Sequence, residues 1–305
     1  MKASIASVAK KESKINAKHE KLARALKLQG MAESTTKCYL RGFRRVCEYF
    51  NRLPDYLLVS EFEQYFADLI DTHSWSTVKI DLNALVFYWK YVLKRKWRHV
   101  EIVRPPKVKR IPDILTISEV SQVLAHTELL RFRVVLFAIY SMGLRISEGV
   151  NIRVADIDAE KMQVHIRNGK GHKDRLVPLP KSTLNALRRY WKVHRNTELL
   201  FPNILGGTET VRHTKQPMNI GCVQAAFRAA TADSQINKKV SVHSLRHSYA
   251  THLIEANVNL KVVQYILGHS SIVTTARYTH FTKVTLENSD SAINEIMAKV
   301  HFHDL

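Results

Sequence analysis

The stretch MQVHIRNGKGHKDRLVPLP, residues 162–180, predicts a β-hairpin in a chain whose other patterns are mainly helical. Apolar and polar residues alternate from Met162 to Ile166, which is the two-residue repeat of a half-buried strand. A polar, Gly-rich turn follows, and apolar residues return between Leu176 and Leu179 before a proline ends the segment. We therefore expect a mainly α fold with a small β-sheet, in the α+β class.

Residues 22–93, upstream of the hairpin, carry apolar side chains at helical spacing. Apolar residues at i, i+4 and i+7 form one face in each of three segments, which are 39–50, 62–69 and 76–91. These faces predict a small all-helical domain, and we place it at residues 22–103. The preceding stretch, residues 1–21, is rich in lysine and lacks the apolar core of a signal peptide, so we expect a basic, flexible segment there.

A basic, Pro-rich stretch, residues 104–112, separates the two halves of the chain. Proline fixes φ and removes a backbone donor, so regular structure is expected to stop here and a linker to begin. We predict a second domain over residues 113–284, where helical patterns flank the hairpin, and a C-terminal tail over residues 285–305. The tail is expected to form a helix because its apolar residues recur at helical spacing, at Ala292, Ile293, Ile296 and Met297.

The formal net charge of +20 is spread over both halves of the chain. Residues 1–110 hold 23 basic and 11 acidic residues, and residues 111–305 hold 24 and 16. Such a field fits a polyanionic partner, of which nucleic acid is the simplest, and equally fits a solvated basic surface. The three cysteines form no CxxC pair, which argues against a disulfide framework and a zinc site of that type. No apolar stretch is long enough to span a bilayer, so we expect a cytoplasmic protein with no membrane partner.

Five short motifs in the second half carry groups suited to chemistry on a phosphodiester. They are, in order, GLRISE (143–148), GKG (169–171), HSLRH (243–247), LGHSS (267–271) and TTARYTH (274–280). Any one of them alone is a weak signal, but five in this order are hard to assemble by accident. At these residues the sequence strongly resembles the tyrosine recombinase, or lambda-integrase, family, and the Xer-like simple recombinases most of all. The resemblance covers residues of roughly 20–285 and is weaker in the N-terminal helices.

The resemblance implies both a fold and a reaction. Residues 22–103 would form a helical core-binding, SAM-like domain and residues 113–284 a catalytic domain, and the two would close on DNA as a C-shaped clamp. The reaction is site-specific recombination, in which double-stranded DNA is cleaved and rejoined at an inverted-repeat core site through a 3′-phosphotyrosyl intermediate in a tetramer. It needs neither a metal nor a cofactor. In relatives a C-terminal helix docks on a neighbouring protomer, which is the role expected for residues 285–305.

The family's catalytic residues fall on Arg145, Lys170, His243, Arg246, His269 and Tyr278. Transesterification passes through a phosphorane with extra negative charge, and two guanidiniums, Arg145 and Arg246, suit its non-bridging oxygens. The two histidines can donate hydrogen bonds to the phosphate or handle the tyrosine proton near neutral pH. A phenol has an ordinary pKa of about 10, so the attacking tyrosine needs positive surroundings.

Two roles stay open at this point. Lys170, on the hairpin turn between two glycines, suits the general acid that protonates the leaving 5′ oxygen, and Lys173 is the alternative. Glu148 is expected to hold an arginine or a histidine in place, or else to form a surface salt bridge. His243 and His247 have the spacing of a metal pair, but no third ligand has convincing spacing, so no metal site is predicted.

Two other functions share part of this pattern. A type IB topoisomerase-like relaxer would use the same chemistry, but the compact size and the GLRISE and LGHSS motifs argue against it. A DNA-binding regulator with a decayed active site would bind without cutting, and the intact catalytic set argues against decay. The sequence therefore predicts a recombinase that acts in integration, excision, transposition or resolution, with its DNA site left open.

Overall fold

The computed structural model describes residues 2–97, 100, 113–167, 174–204, 208–276 and 278. The chain divides into two compact units, Met1–Val108 and Lys109–Leu305, and each has its own hydrophobic core. The predicted linker, the hairpin turn with Lys170 and Lys173, and the predicted tail helix lie outside the described residues. Within the described part, no helix combines the length and the apolar composition needed to cross a membrane.

The described part of the first unit contains four helices: α1 (Lys2–Leu28), α2 (Glu33–Phe50), α3 (Val59–Thr72) and α4 (Trp75–Tyr91). A short 3₁₀ turn, Pro54–Tyr56, connects α2 with α3. The three segments predicted from apolar spacing correspond to α2, α3 and α4, and their apolar faces form a core that includes Phe43, Phe62 and Tyr88. The prediction of a helical domain is confirmed.

The stretch predicted to be a flexible basic segment, residues 1–21, is corrected by the structure, because α1 already begins at Lys2. Residues 1–28 contain neither proline nor glycine and are rich in alanine and lysine, which favour helices. The C-terminal half of α1 is anchored to the unit, since Leu22 and Leu26 are fully buried and Lys18 Nζ lies 2.7 Å from Asp55 Oδ2. The lysine-rich pattern reflects the solvent-exposed face of α1. The helical conformation is stabilised by packing of its apolar face against the rest of the unit.

The described residues of the second unit form nine α-helices, a short 3₁₀ turn at Val154–Asp156 and one three-stranded antiparallel sheet. The helices are α5 (Ile117–Ala125), α6 (Leu130–Ser141), α7 (Ile146–Val150), α8 (Lys181–His194), α9 (Thr208–His213), α10 (Ile220–Asp233), α11 (Val242–Glu255), α12 (Leu260–Leu267) and α13 (Ile272–Ala276). The strands are β1 (Ile157–Asp158), β2 (Gln163–Ile166) and β3 (Arg175–Pro178), in that order across the sheet. The predicted pairing is confirmed, with Val164 opposite Val177 and Ile166 opposite Arg175.

Two glycines in and next to the GLRISE motif allow α7 and α11 to approach α6 closely. Gly143 follows α6 with a φ of +62°, a region that favours glycine, and a Cβ there would lie 2.5 Å from Tyr249 Cδ1. Gly149 lies in α7, where a Cβ would come within 2.9 Å of Ile139 Cγ1. Larger residues at these positions would push α7 and α11 away from α6, and Arg145 would move with α7.

Candidate active site

Four segments of the second unit carry the predicted catalytic side chains. They are the turn from α6 into α7, the start of α11, the residues that follow the end of α12, and the residues after α13. Lys170 lies outside the described residues, and the other five predicted catalytic residues lie on these segments: Arg145, His243, Arg246, His269 and Tyr278. Their contacts connect motifs that are far apart in the sequence.

Arg246 joins the GLRISE and LGHSS motifs through its guanidinium. Its side chain is 1% exposed, and Nη1 donates to the carbonyl of Gly143 at 2.7 Å while Nη2 donates to the carbonyl of Leu267. Both carbonyls lie at the C-terminal ends of helices, where the helix dipole favours a positive charge. Burial, followed by the charge of Arg145, lowers the pKa of Arg246 to about 9, although Glu148 opposes this shift. The guanidinium therefore remains charged at neutral pH.

Arg145 lies beside Arg246 and contacts the next peptide of the LGHSS motif. Its Nη2 donates to the carbonyl of Gly268 at 3.3 Å, and its side chain is 22% exposed. Arg145 is also the N-cap residue of α7, where its backbone N–H donates to Glu148 Oε2 at 2.8 Å. Consecutive carbonyls of Leu267 and Gly268 thus bind the two arginines, one each.

Glu148 is the buried carboxylate of this arginine cluster. It accepts hydrogen bonds from Arg145 Nη1 at 2.6 Å and from the two terminal nitrogens of Arg175 at 3.0 and 2.8 Å, and Arg246 Nη1 lies 3.7 Å away. Burial alone would raise the pKa of Glu148, but the hydrogen bonds and charges of Arg175 and Arg145 outweigh it and lower the pKa to about 2. The carboxylate is therefore ionised and holds the arginines in a fixed arrangement.

Arg175 belongs to this cluster, and the sequence analysis did not identify it. It lies in β3 with its side chain 5% exposed, and its Nε donates to the carbonyl of Ile266 at 2.7 Å. The sequence did indicate that Arg175 is buried, because alternate residues of a strand share one face and Arg175 alternates with the buried residues Val177 and Leu179. A charged residue on the buried face of a strand needs a buried partner, and here the partner is Glu148.

The two predicted histidines differ in their surroundings. His243 is exposed at the start of α11, yet partial desolvation and then the charges of Arg246 and Arg145 lower its pKa. His269 is half-buried, and its Nδ1 lies 3.0 Å from Oγ1 of the fully buried Thr275. Burial, followed by the charges of Arg246 and Arg145, lowers the pKa of His269 to about 4. At neutral pH both rings are therefore neutral, and each can donate one hydrogen bond.

Tyr278 lies in a small apolar cluster with Ala250, Val263 and Leu267, and is 4% exposed. Its ring is nearly parallel to that of His269, at 18° and with a centroid distance of 6.2 Å. Its Oη lies 2.8 Å from Nδ1 of His247, a residue that the sequence analysis considered only as half of a metal pair. Across the described residues, no three His, Cys, Asp or Glu side chains are arranged to hold a metal ion.

Two half-buried histidines, His247 and His269, predict that acid destabilises the second unit. Unfolded histidines take up protons below about pH 6.5, whereas the folded His247 and His269 resist protonation until about pH 4. Their contribution to stability is therefore complete above pH 6.5 and is lost as the pH falls toward 4. We expect the thermal unfolding midpoint, measured by circular dichroism, to be a few degrees lower at pH 5 than at pH 7.5.

His269→Gln should reduce this pH dependence, because the variant lacks one of the groups that titrate. His126→Gln, at an exposed position, should leave it unchanged. Equal midpoints at pH 5 and pH 7.5 in the unmodified chain would contradict the prediction.

Comparison with known proteins identifies the family. The model of the phage integrase family matches residues 113–284, and the model of the phage integrase N-terminal SAM-like domain matches residues 19–99. The first match alone covers more than half of the chain. The chain therefore belongs to the phage integrase family, and it is a site-specific tyrosine recombinase.

Two relatives show how far the likeness extends. The integrase/recombinase y4qK of Sinorhizobium fredii is 33% identical over 262 residues, which is 85% of this chain and 82% of that protein. Tyrosine recombinase XerA of Pyrococcus horikoshii is 30% identical over 281 residues, which is 90% of this chain and 92% of that protein. Both alignments extend through most of the two units rather than through the motifs alone.

Solved structures show the same fold at low sequence identity. A lambda integrase tetramer bound to a Holliday junction matches with a TM-score of 0.68 at 18% identity, covering 86% of this chain and 76% of that one. XerH recombinase bound to its difH substrate matches with a TM-score of 0.63 at 22% identity, covering 84% of this chain and 78% of that one. The mainly helical architecture with a small sheet is that of tyrosine recombinases.

Proposed function

We propose that this recombinase cleaves and rejoins double-stranded DNA at an inverted-repeat core site through a 3′-phosphotyrosyl bond to Tyr278. The observation that carries the proposal is the pairing of the two arginines on consecutive carbonyls of the LGHSS motif. This contact brings two guanidiniums from different helices to one place, next to His269. Two neighbouring positive charges with such restricted geometry suit a single phosphate.

The chemistry follows from these charges. Tyr278 Oη gives up its proton to a neighbouring histidine or to solvent and forms a bond to phosphorus. At the same time the bond from phosphorus to the 5′ oxygen breaks, and that oxygen takes up a proton from the general acid. Extra negative charge on the non-bridging oxygens of the phosphorane is stabilised by Arg145 and Arg246. Loss of one such preorganised donor typically costs about 2.7–4 kcal/mol of activation free energy. The phosphotyrosyl bond retains the energy of the broken bond, so attack by a 5′ hydroxyl rejoins the strand without a nucleotide cofactor.

The remaining catalytic roles are assigned by position and charge. His243 and His269, neutral near pH 7, would each donate a hydrogen bond to the phosphate. Glu148 would keep the arginines in place through its hydrogen bonds to Arg145 and Arg175. Lys170 would protonate the leaving 5′ oxygen, with Lys173 as the alternative.

We further propose that four protomers assemble on two DNA duplexes and exchange strands through a Holliday junction. The lambda integrase tetramer bound to a Holliday junction supports this assembly, since its fold is shared. XerH bound to its difH substrate, which also shares the fold, supports DNA as the partner. The excess of basic residues in both halves of the chain supports DNA contacts by both units. The apolar spacing in residues 285–305 supports docking of this tail on a neighbouring protomer.

A suicide substrate tests the reaction and its independence of metal. Nicked duplexes made from inverted repeats that flank the gene would be incubated with the full chain in excess EDTA. We expect a covalent protein–DNA adduct, with the DNA attached to the peptide that contains Tyr278 in mass spectrometry. Loss of the adduct in EDTA and its return with Mg²⁺ would indicate a nuclease. Binding without any adduct would indicate a regulator, and relaxation of plasmids without strand exchange would indicate a topoisomerase.

A substrate with a better leaving group tests the general acid. We expect Lys170→Ala to cleave an ordinary substrate poorly but to recover on a 5′-bridging phosphorothiolate, because the sulfur leaves without a proton. Arg145→Ala is the control, and it should stay impaired on both substrates because it acts on the non-bridging oxygens. Equal defects of Lys170→Ala on both substrates would contradict the assignment and direct the same test to Lys173.

A further inference from the structure

His247 contacts the tyrosine nucleophile but has no role in the reaction described so far. Its Nδ1 lies 2.8 Å from Tyr278 Oη, and the ring centroids are 5.6 Å apart. We propose that His247 positions the nucleophile, by accepting a hydrogen bond from the Tyr278 hydroxyl at Nδ1 and so directing Oη toward the scissile phosphate. This inference rests on the proposed function of Tyr278.

The state of the ring allows His247 to accept this hydrogen bond. Burial, followed by the charges of His243 and Arg246, lowers the pKa of His247 to about 4, so the imidazole is neutral at working pH. A neutral imidazole has one donor and one acceptor nitrogen, and a phenol keeps its proton near neutral pH. The proposal assigns the Tyr278 hydroxyl as the donor to Nδ1 and so places the proton of His247 on Nε2. The hydroxyl proton then points away from phosphorus, which leaves an oxygen lone pair for the attack.

His247 is well suited to fix a position because its neighbours on α11 are buried and hydrogen-bonded. Arg246 and Ser248 on either side are 1% and 0% exposed, and the guanidinium of Arg246 is held by two carbonyls. One turn earlier, His243 packs edge-on against His247 with a centroid distance of 4.4 Å. The same helix thus carries a phosphate-binding arginine and the acceptor for the nucleophile. A shift of α11 would move both together, so their spacing is preserved.

The apolar cluster around Tyr278 does not supply this direction. Contacts with Ala250, Val263 and Leu267 fix the plane of the ring, but aliphatic groups do not orient a hydroxyl. An error of about 1 Å in the position of a reacting atom can reduce a rate by roughly 10²-fold. Removal of the acceptor should therefore slow cleavage and leave DNA affinity unchanged.

Three substitutions of His247 distinguish the effect of losing the hydrogen-bond acceptor from the effect of changing the size of the side chain. His247→Asn keeps an acceptor near the position of Nδ1, His247→Gln moves the amide to the position of Nε2, and His247→Leu removes the acceptor. We expect single-turnover cleavage of the nicked substrate, measured in preformed complexes, to fall by about 10–100-fold in the Gln and Leu variants. We expect the Asn variant to stay within about 3-fold of the unmodified chain. The dissociation constant for DNA should not change in any of them.

His252→Leu is the matched control. His252 lies on the same helix, and its Nδ1 is 2.9 Å from the hydroxyl of Tyr140, so the variant removes an equivalent contact away from the nucleophile. It should cleave at the normal rate. Fluorine NMR of 3-fluorotyrosine-labelled protein gives a direct readout, with the Tyr278 resonance assigned by its absence in Tyr278→Phe. That resonance should shift in His247→Leu and stay in place in His252→Leu.

Normal cleavage by His247→Leu would overturn the proposal, and so would equal losses in the Asn, Gln and Leu variants. If His247→Leu does not fold or bind DNA, the comparison of Asn with Gln decides, and equal rates in these two overturn the proposal. Failure of the proposed function is seen separately, because Tyr278→Phe would then still form the covalent adduct.

Discussion

Tyr278→Phe is expected to abolish the covalent protein–DNA adduct and to leave specific DNA binding nearly intact. The variant lacks one oxygen and keeps the ring that packs against Ala250, Val263 and Leu267. Since no other group on this residue can attack phosphorus, the rate of adduct formation should fall on the order of 10⁴–10⁶-fold, as for the loss of other nucleophiles. Adduct formation on nicked DNA would be measured beside a gel-shift titration.

Tyr265→Phe is the matched control for this substitution. Tyr265 lies on α12 with 58% of its surface exposed, so its hydroxyl can be removed without disturbing the buried cluster. The control should form adducts at the normal rate. An adduct formed by Tyr278→Phe would show that another residue attacks the phosphate.

Glu148→Gln is expected to lower the free energy of unfolding of the second unit by about 3–5 kcal/mol, the usual cost of breaking a buried ion pair from one side. The substitution keeps the shape of the side chain but removes the charge that Arg175 and Arg145 contact. Arg175 and Arg246, with side chains 5% and 1% exposed, would then lose their carboxylate partner. Urea unfolding followed by circular dichroism measures the change.

The exposed pair between Arg153 and Glu198 provides the control. Its atoms are 3.6 Å apart and its side chains are 52% and 38% exposed. Glu198→Gln should therefore change the free energy of unfolding by less than about 1 kcal/mol. A Glu148→Gln variant as stable as Glu198→Gln would contradict the view that the carboxylate holds the arginine cluster together.

The periodic spacing of apolar residues was sufficient to predict most of the fold. Helices α2, α3 and α4 follow from apolar residues at helical spacing, and the β2–β3 hairpin follows from alternation around a Gly-rich turn. These predictions succeed because helix and strand periodicity is local and the burial of one face repeats along each element. The family also follows from local information, since five ordered motifs of a few residues each are enough to recognise it.

Contacts between distant segments could not be predicted in this way. The helical start of α1 was missed because the lysine-rich residues 1–21 resemble a solvated segment. Their contact with the rest of the unit, between Lys18 and Asp55, spans 37 positions. Arg175 was missed although its strand parity places it inward, because its partner Glu148 lies 27 positions away in the sequence. His247 was read as part of a weak metal pair, and its contact with Tyr278 spans 31 positions.

The sequence by itself determined the class of fold, the family and the chemical groups available for the reaction. Only the tertiary structure decided how these groups are arranged: which carbonyls bind Arg246, which arginines Glu148 holds, and which ring meets the tyrosine hydroxyl. The reason is that Arg246 reaches Gly143 across 103 positions and Arg175 reaches Ile266 across 91. Burial makes such polar contacts obligatory, but which donor meets which acceptor is set by the packing of whole helices.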